Sequence, residues 1–314
     1  MLMVWGGIQY SDVKEMWDCS TYIACLPLCF GRFGNAVFML ITGYFSISRK
    51  QNSKKIINLI GTELFYSWLI LALFTAMGYG LNTGTVIKVG FPLFSGNNWY
   101  VSCYIYFSLL IPFINRFLAS LDVGEYKKFL ILIYLLGLAL PYAKFQTFFE
   151  AGNDIIFFFI MYSTGAYFRL CEEETDALSA RRLDAIIAGL VLIIVGCTYI
   201  LGRYIGKPQH TGLFSALLAV AVFARCLRTE PFYSKSINTV AKTCIGIYLI
   251  HDNQLVRHLI WDGILPNINY LHTGSFLIIL VVKVICVFVI CSCIEWLRSR
   301  MARKLSEVFV KRPA

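Results

Sequence analysis

Residues 276–294 read FLIILVVKVICVFVICSCI, a run in which Lys283 is the single charged residue. An apolar run of about 20 residues is long enough to cross the hydrocarbon core of a bilayer as a helix. A lipid-exposed backbone must satisfy its own hydrogen bonds, so a span of this kind has to be helical. This run and its flanks, 274–297, therefore predict a transmembrane helix.

Similar stretches recur along the whole chain and are joined by short connections. The predicted spans lie near 22–47, 56–79, 98–118, 128–143, 154–170, 183–203, 212–228, 237–256 and 274–297. We therefore predict an all-α fold, a polytopic membrane helix bundle with nine spans. The short connections predict a single domain over residues 1–314, in which 298–314 form a basic cytoplasmic tail.

The composition agrees with a membrane protein. Of the 314 residues, 58% are hydrophobic and 15% are charged, whereas soluble domains average roughly 45–50% and about 25%. A soluble fold of this composition would leave much apolar surface in water. The composition therefore excludes a soluble enzyme, a disordered chain and a nucleic-acid-binding domain, and the lipid bilayer is the first expected partner.

The formal net charge is +10, and the basic residues alternate between the loops. Of the 28 Lys and Arg residues, 19 follow the odd-numbered spans and 6 lie on the other side. Cytoplasmic loops carry the excess of Lys and Arg. The pattern supports nine spans with the C-terminus in the cytoplasm. The eleven Cys residues form no C-x-x-C pair and no zinc-type spacing, so no metal is expected.

Charged residues within spans are costly and often functional. Glu63 and Lys283 lie deep in their spans, which favours either a function or a structural ion pair. Lys242 and Asp154 lie near span ends, where snorkelling to the interface explains them.

The segment His251-Asp252-Asn253, with Arg257 and His258, is a polar cluster directly after the apolar run Ile245–Ile250. A His is the usual general base near neutral pH. The alternative is a helix end stabilised by hydrogen bonds at the interface.

Two other segments have a functional and a structural interpretation. The basic run 48–55 contains Arg49, Lys50, Lys54 and Lys55, and suits either cofactor phosphates or a topology signal that also contacts anionic lipid. Asn97-Asn98-Trp99-Tyr100 opens a span. An interfacial aromatic belt explains the aromatic residues, but the amides are suited to bind glycan hydroxyls.

Four segments in order resemble the integral membrane acyltransferase family 3, and most resemble its bacterial surface-polysaccharide O-acetyltransferase-like branch. GNAVFMLITGYF (34–45) is similar to the family's apolar helix that ends in Ser/Thr-Gly-Tyr/Phe, and the basic run follows it. FPLF (91–94) with NWYV (98–101) and IPFIN (111–115) resembles an aromatic helix ending in a Pro-containing turn. GIYLIHDN (246–253) is similar to a late G-x-Y-L-x-H segment.

The resemblance implies transfer of an acyl group, commonly acetyl, from cytosolic acyl-CoA to a hydroxyl of a cell-envelope carbohydrate. It implies that Arg49, Lys50, Lys54 and Lys55 bind the CoA phosphates. The residues expected to bind substrate are Asn35, Glu63, Asn98, Trp99, Tyr100, Tyr248, Asn253 and Arg257. His251 is the expected catalytic residue. The implied setting is the bacterial plasma membrane, with polysaccharide-biosynthesis proteins as further partners.

One departure from the family concerns its first helix. That helix normally carries an Arg and then the His taken as the catalytic base. Aligned to this chain the His falls at about Gly7, and no His precedes His210. Residues 1–10 are expected to be a remnant of this helix, which would account for nine spans against the family expectation of about ten.

Two alternatives to an active O-acyltransferase follow. The chain could be a catalytically inactive or truncated family member that binds donor or acceptor without turnover. It could also be a transporter or flippase for a lipid-linked glycan, which would predict internal repeats or broken helices near the midplane. The sequence shows no such repeat.

Overall fold

The computed structural model describes residues 18–49, 52–142, 154–175, 179–205, 212–264, 266–271 and 273–310. Most of these residues are helical, and no strand lies among them. Five helices in this part of the chain are long and apolar enough to cross a membrane, and shorter apolar helices accompany them. The all-α polytopic helix fold is confirmed, whereas the count of nine spans stays a prediction. Lys50, the first-helix remnant 1–10 with Gly7, His210, His272 and 311–314 lie outside the described residues.

The described residues fall into two compact units, one made of 18–57 and 103–230 and the other of 58–102 and 231–310. The helices in chain order are α1 Cys19–Cys29, α2 Gly31–Ser46, α3 Ser53–Ala76, α4 Thr83–Gly90, α5 Pro92–Ser95, α6 Trp99–Ala119, α7 Val123–Tyr134, α8 Leu140–Tyr142, α9 Asp154–Leu170, α10 Glu172–Thr175, α11 Ala180–Ile200, α12 Gly212–Leu227, α13 Lys235–Ala241, α14 Cys244–His251, α15 Gln254–His258 and α16 Phe276–Val310. The prediction of a single domain stays a prediction.

The first unit is built around the crossing of α2 and α9. At this crossing Gly43 faces the backbone of Tyr162, and Gly165 faces the backbone of Leu40. A Cβ atom at either glycine would overlap those backbone atoms. Small residues allow membrane helices to approach this closely. The glycine of the Thr-Gly-Tyr motif therefore has a packing role.

Ion pairing in the first unit changes one interpretation made from the sequence. Arg32 Nη2 lies 3.1 Å from Asp154 Oδ1, and the same guanidinium stacks on Phe157. Asp154 thus has an ion-pair partner on another helix, which the interpretation as a snorkelling residue did not predict.

In the second unit Lys283 Nζ lies 4.3 Å from the Tyr270 ring centroid, so an aromatic face partly replaces water around this cation.

Three predicted segments differ in the structure, and two of them lie in α6 and α16. Pro112 lies inside α6 rather than in a turn, because a membrane helix can tolerate one missing backbone donor. The predicted tail 298–314 continues the last helix to Val310.

The predicted span 237–256 is divided into α13, α14 and α15. The division between α14 and α15 falls at Asp252–Asn253. Here the Asn253 side chain accepts a hydrogen bond from Leu255 N and starts a new helix.

Candidate functional site

The second unit gathers most of the predicted substrate-binding residues around the C-terminal end of α14. This helix has the sequence CIGIYLIH and ends at His251. Tyr248 and His251 are three residues apart and therefore share a face of the helix. Their rings meet edge to face with centroids 6.3 Å apart. The helical spacing predicted from the sequence thus places these two side chains together.

The hydrogen bond of His251 fixes the proton on its ring. Nδ1 lies 2.6 Å from the carbonyl oxygen of Ile247. A carbonyl oxygen can only accept, so Nδ1 must carry the hydrogen and donate it. In the neutral imidazole the other nitrogen, Nε2, is then the acceptor. This is the form that a general base requires.

The start of α6 meets this end of α14. The backbone N–H of Tyr100 donates to the Tyr248 hydroxyl over 3.2 Å, and the two rings lie edge to face at 6.0 Å. The Tyr248 hydroxyl also lies close to the carboxylate of Asp252. Trp99 is 39% exposed and packs against the edge of Tyr100. The aromatic and late G-x-Y-L-x-H segments, far apart in sequence, therefore meet in one place.

Glu63, on α3, is fully buried beside the same segment. Its Oε1 accepts a hydrogen bond from Ser102 Oγ over 3.3 Å. The Asn98 amide lies next to this carboxylate, although neither polar atom of Asn98 reaches full hydrogen-bond geometry. Glu63 Oε2 also has no hydrogen-bond partner. A carboxylate and an amide are thus held together in a buried position with bonding capacity to spare.

The connection between α14 and α15 carries two further amides, on Asn253 and Gln254. Asn97 Oδ1 accepts from Gln254 N over 3.3 Å, which joins the loop to the segment before α6. Asn253 is fully buried. The Nδ2 atoms of Asn97 and Asn253 and the Oε1 atom of Gln254 are buried without a hydrogen-bond partner. We call Glu63, Asn97, Asn98, Asn253 and Gln254 the amide–carboxylate cluster.

Such a cluster is chemically unusual. More than about 90% of buried polar groups in proteins are hydrogen-bonded, and each exception needs an explanation. The atoms concerned include donors on Asn97 and Asn253 and acceptors on Glu63 and Gln254. A ligand hydroxyl is both donor and acceptor and could satisfy either kind. The cluster therefore suits a ligand that carries hydroxyl groups.

Charge near the cluster is supplied by Asp252 and Arg257. Arg257 Nη1 lies 3.8 Å from Asp252 Oδ1, and Asp252 is nearly buried. The Asp252 N–H donates to the Tyr248 carbonyl as the cap of α14. Asp252 therefore has contacts with Arg257 and Tyr248. The His251 ring is hydrogen-bonded to the Ile247 carbonyl and not to its neighbour Asp252.

The other end of α14 packs against a second buried carboxylate, Glu295 of α16. Arg298 Nε and Nη2 donate to its two oxygens over 2.8 and 2.7 Å. Tyr66 Oη donates over 2.5 Å and Ser299 Oγ over 2.8 Å. A Cβ atom at Gly246 would overlap the Glu295 side chain. The glycine of G-x-Y-L-x-H thus allows α14 to lie directly against this network.

The remaining predicted residues lie in the first unit. Arg49, Lys54 and Lys55 are exposed around the connection of α2 and α3, and Arg49 lies over the Phe45 ring. Asn35 is half-buried on α2. These positions leave the basic residues accessible to a soluble anion. Their expected role in CoA binding stays a prediction.

Sequence reasoning missed several residues of these sites. Gln254 follows Asn253, which was singled out, and its amide chemistry was a usable signal. Asn97 was noted for its amide together with Asn98, but it was not placed among the expected substrate-binding residues. Ser102 lies one helical turn after Asn98. Its hydroxyl lies within hydrogen-bond distance of the Asn98 carbonyl oxygen and of Glu63 Oε1. Tyr66 and Glu295 were missed because they are 229 positions apart in the chain, and Arg298, three residues from Glu295, was assigned to the cytoplasmic tail. In the described part of the chain no group of three or more His, Cys, Asp or Glu could hold a metal.

Comparison with known proteins assigns a family. No curated protein and no solved structure gave a significant match. The family model described as an acyltransferase domain matches residues 6–296. This match covers most of the chain, including both the amide–carboxylate cluster and the basic connection. The chain therefore belongs to the integral membrane acyltransferase family 3.

Proposed function

We propose that this protein is a membrane O-acyltransferase. It transfers an acyl group, specifically acetyl, from cytosolic acyl-CoA to a hydroxyl of a cell-envelope polysaccharide or lipid-linked glycan. The observation that carries this proposal is the hydrogen bond from His251 Nδ1 to the Ile247 carbonyl oxygen. His251 Nε2 is thereby the acceptor nitrogen, and the amide–carboxylate cluster of the same unit suits hydroxyl groups.

The reaction that this arrangement supports is a nucleophilic substitution at the thioester. The acceptor hydroxyl attacks the thioester carbonyl carbon while His251 Nε2 takes its proton. A C–O bond forms, the C–S bond breaks, and the CoA thiolate leaves and receives the proton. A base must lie within about 2.6–3.2 Å of the hydroxyl, directly or through one water. Tyr248 shares the face of His251 and would contact the acceptor.

The donor is proposed to approach from the cytoplasm. Arg49, Lys50, Lys54 and Lys55 belong to the connection that charge bias assigns to the cytoplasmic side. Lys and Arg bind phosphate strongly, and the described members of this set are exposed. The proposed location is the bacterial plasma membrane with the C-terminus in the cytoplasm. The acceptor then approaches from the outer side, where polysaccharide-biosynthesis proteins are the proposed partners.

The base is tested with His251→Gln, assayed for transfer of radiolabelled acetyl from acetyl-CoA to envelope glycan in membranes. Loss of a general base lowers turnover by about 10²–10⁴-fold, and we expect a loss in this range. The exposed Asn238→Gln is the matched control and should turn over like the parent. An active parent whose His251→Gln variant keeps full activity would contradict the assignment. An inert parent that still binds acetyl-CoA would favour a binding member without turnover.

The donor site is tested by replacing Arg49, Lys50, Lys54 and Lys55 with Gln. Acetyl-CoA binding by the purified protein should weaken, because the phosphates lose their counter-charges. Binding by the parent should weaken with added salt, since exposed charges are screened. Arg181→Gln with Arg182→Gln controls for a general loss of positive charge on the predicted cytoplasmic side. Unchanged affinity in the quadruple variant would leave the run as a topology signal only.

A further inference from the structure

A cavity of about 490 Å³ lies in the second unit, between the turn after α3 and helix α15. Ligand sites commonly measure about 300–1,000 Å³. Its lining combines apolar and polar side chains. The lining residues include Phe74, Tyr79, Gln254, His258 and Asp262.

One wall of the cavity is aromatic. Tyr79 is about half exposed, and its ring centroid lies 4.9 Å from that of Phe74. The preceding Gly78 has φ +78°, a backbone conformation that favours glycine. At this turn the Tyr79 N–H donates back to the Phe74 carbonyl over 3.1 Å, which ends α3. The result is a Tyr ring supported from behind by Phe74 and accessible to a ligand.

A hydrogen-bonded His–Asp pair also lines the cavity. His258 Nδ1 lies 2.7 Å from Asp262 Oδ2. A neutral imidazole donates from Nδ1 to this carboxylate, and Nε2 is then an acceptor. The two side chains are 60% and 53% exposed, so the protein itself leaves them accessible to a ligand. The second Asp262 oxygen adds another acceptor.

Gln254 links the cavity to the amide–carboxylate cluster. Gln254 is one of the residues that line the cavity, and its Oε1 is buried without a hydrogen-bond partner. Its backbone N–H is bonded to Asn97 of the cluster. A ligand in the cavity could therefore extend from the His–Asp pair toward the cluster.

We infer that this cavity binds the carbohydrate portion of the acceptor, with Tyr79 as a stacking surface and Gln254, His258 and Asp262 as hydroxyl partners. The inference rests on the proposed function, because it names where that acceptor is held. An apolar face with a few convergent polar groups suits a sugar ring. An acyl chain would leave the polar residues unpaired, at a cost in free energy.

The charges of the lining argue against the donor as the occupant. Among the described residues that line the cavity, none is Lys or Arg, and Asp262 is acidic. CoA phosphates would meet an acidic side chain there without a basic partner. A neutral, hydroxyl-rich ligand faces no such repulsion. The cavity and the basic run 48–55 therefore differ in the class of ligand that they suit.

The test uses the purified full-length protein and biotinylated short oligosaccharides released by mild acid from the host's surface polysaccharide. Binding is measured without acyl-CoA. Gln254→Leu and Asp262→Ala should each weaken binding about tenfold, the equivalent of 1.4 kcal/mol. The exposed Asn238→Leu should bind like the parent. Unfolding temperatures of all variants are compared, and Asp262→Ala serves as the cavity variant least coupled to buried structure.

The outcomes separate this inference from the proposed function. If the parent transfers acetyl but Gln254→Leu and Asp262→Ala bind oligosaccharide like the parent, the cavity assignment is wrong and the proposed function stands. A parent that does not bind the oligosaccharide also overturns the cavity assignment. If the parent binds through these residues but transfers no acetyl, the cavity assignment stands and the proposed function fails. A His258→Gln variant that loses turnover with unchanged binding would make His258 a base, against this inference.

Discussion

Two buried carboxylates of the second unit, Glu63 and Glu295, differ in their hydrogen bonding. Glu295 receives bonds from Arg298, Tyr66 and Ser299, and both of its oxygens are engaged. Glu63 has one bond from Ser102, and its Oε2 has no hydrogen-bond partner. A buried ion pair is costly to break. Glu295 therefore has the contacts of a structural residue, and Glu63 those of a residue able to bind a ligand.

This contrast predicts different stabilities for two isosteric substitutions. Glu295→Gln removes the charge that neutralises Arg298, and breaking such a pair costs about 3–5 kcal/mol. Glu63→Gln removes no ion pair and keeps an acceptor for Ser102. We expect a clearly lower unfolding temperature in detergent for Glu295→Gln and little change for Glu63→Gln. Equal losses in both variants would contradict the structural role of Glu295.

Sequence analysis found one of these two carboxylates for a clear physical reason. Glu63 lies deep within a predicted span, where a charge is conspicuous. Glu295 lies near the end of 274–297, where a charged side chain can snorkel to the interface and therefore does not indicate a buried site. Its partner Tyr66 is 229 positions away in the chain, so no local sequence pattern predicts this contact. His251 was singled out because of its polar neighbours, but its hydrogen bond to the Ile247 carbonyl oxygen is seen only in the structure.

At the level of helices, the crossing of α2 and α9 depends on glycine. Gly43 and Gly165 each face backbone atoms of the other helix. By contrast, a Cβ atom at Gly34, on the same α2, would meet nothing within 4 Å. Gly34 and Gly43 of α2 are therefore a matched pair, one in open space and one in tight contact.

We predict opposite effects of adding one methyl group at these two positions. Gly43→Ala should destabilise the protein by about 1–3 kcal/mol, because the added carbon forces the helix backbones apart. Gly34→Ala should be neutral or stabilising by up to about 1 kcal/mol, since alanine is the better helix former. Unfolding temperatures in detergent distinguish the two variants. A Gly43→Ala variant as stable as Gly34→Ala would contradict the close crossing.

Hydropathy located helices better than it located their ends. The stretch 237–256 is apolar enough on average to predict one span, yet it contains α13, α14 and the start of α15. An average over the stretch does not register that Asn253 caps the next helix. The polar segment 251–253 was interpreted either as a base with its neighbours or as a helix end stabilised by hydrogen bonds, and the structure shows Asp252 as the C-cap of α14 and Asn253 as the N-cap of α15. The same break brings Gln254 beside Asn97.

At the scale of the whole molecule, the distribution of basic residues sets the expected orientation in the membrane. Nineteen of the 28 Lys and Arg residues fall on one predicted side, and such residues favour the cytoplasm. This orientation would place the connection 48–55 and the end of α16 inside. The loops 203–211 and 262–272 would then face outward, and Asp262 of the cavity with them.

The orientation predicts which engineered cysteines react with a membrane-impermeant maleimide in intact cells. In a background without the native cysteines, Tyr204→Cys and Asn269→Cys should be labelled, because both positions are exposed and on the predicted outer side. Ser48→Cys and Lys304→Cys are also exposed, but they should be labelled only after the cells are permeabilised. Labelling of Ser48→Cys in intact cells, with Tyr204→Cys protected, would reverse the orientation and separate the basic run from cytosolic acyl-CoA.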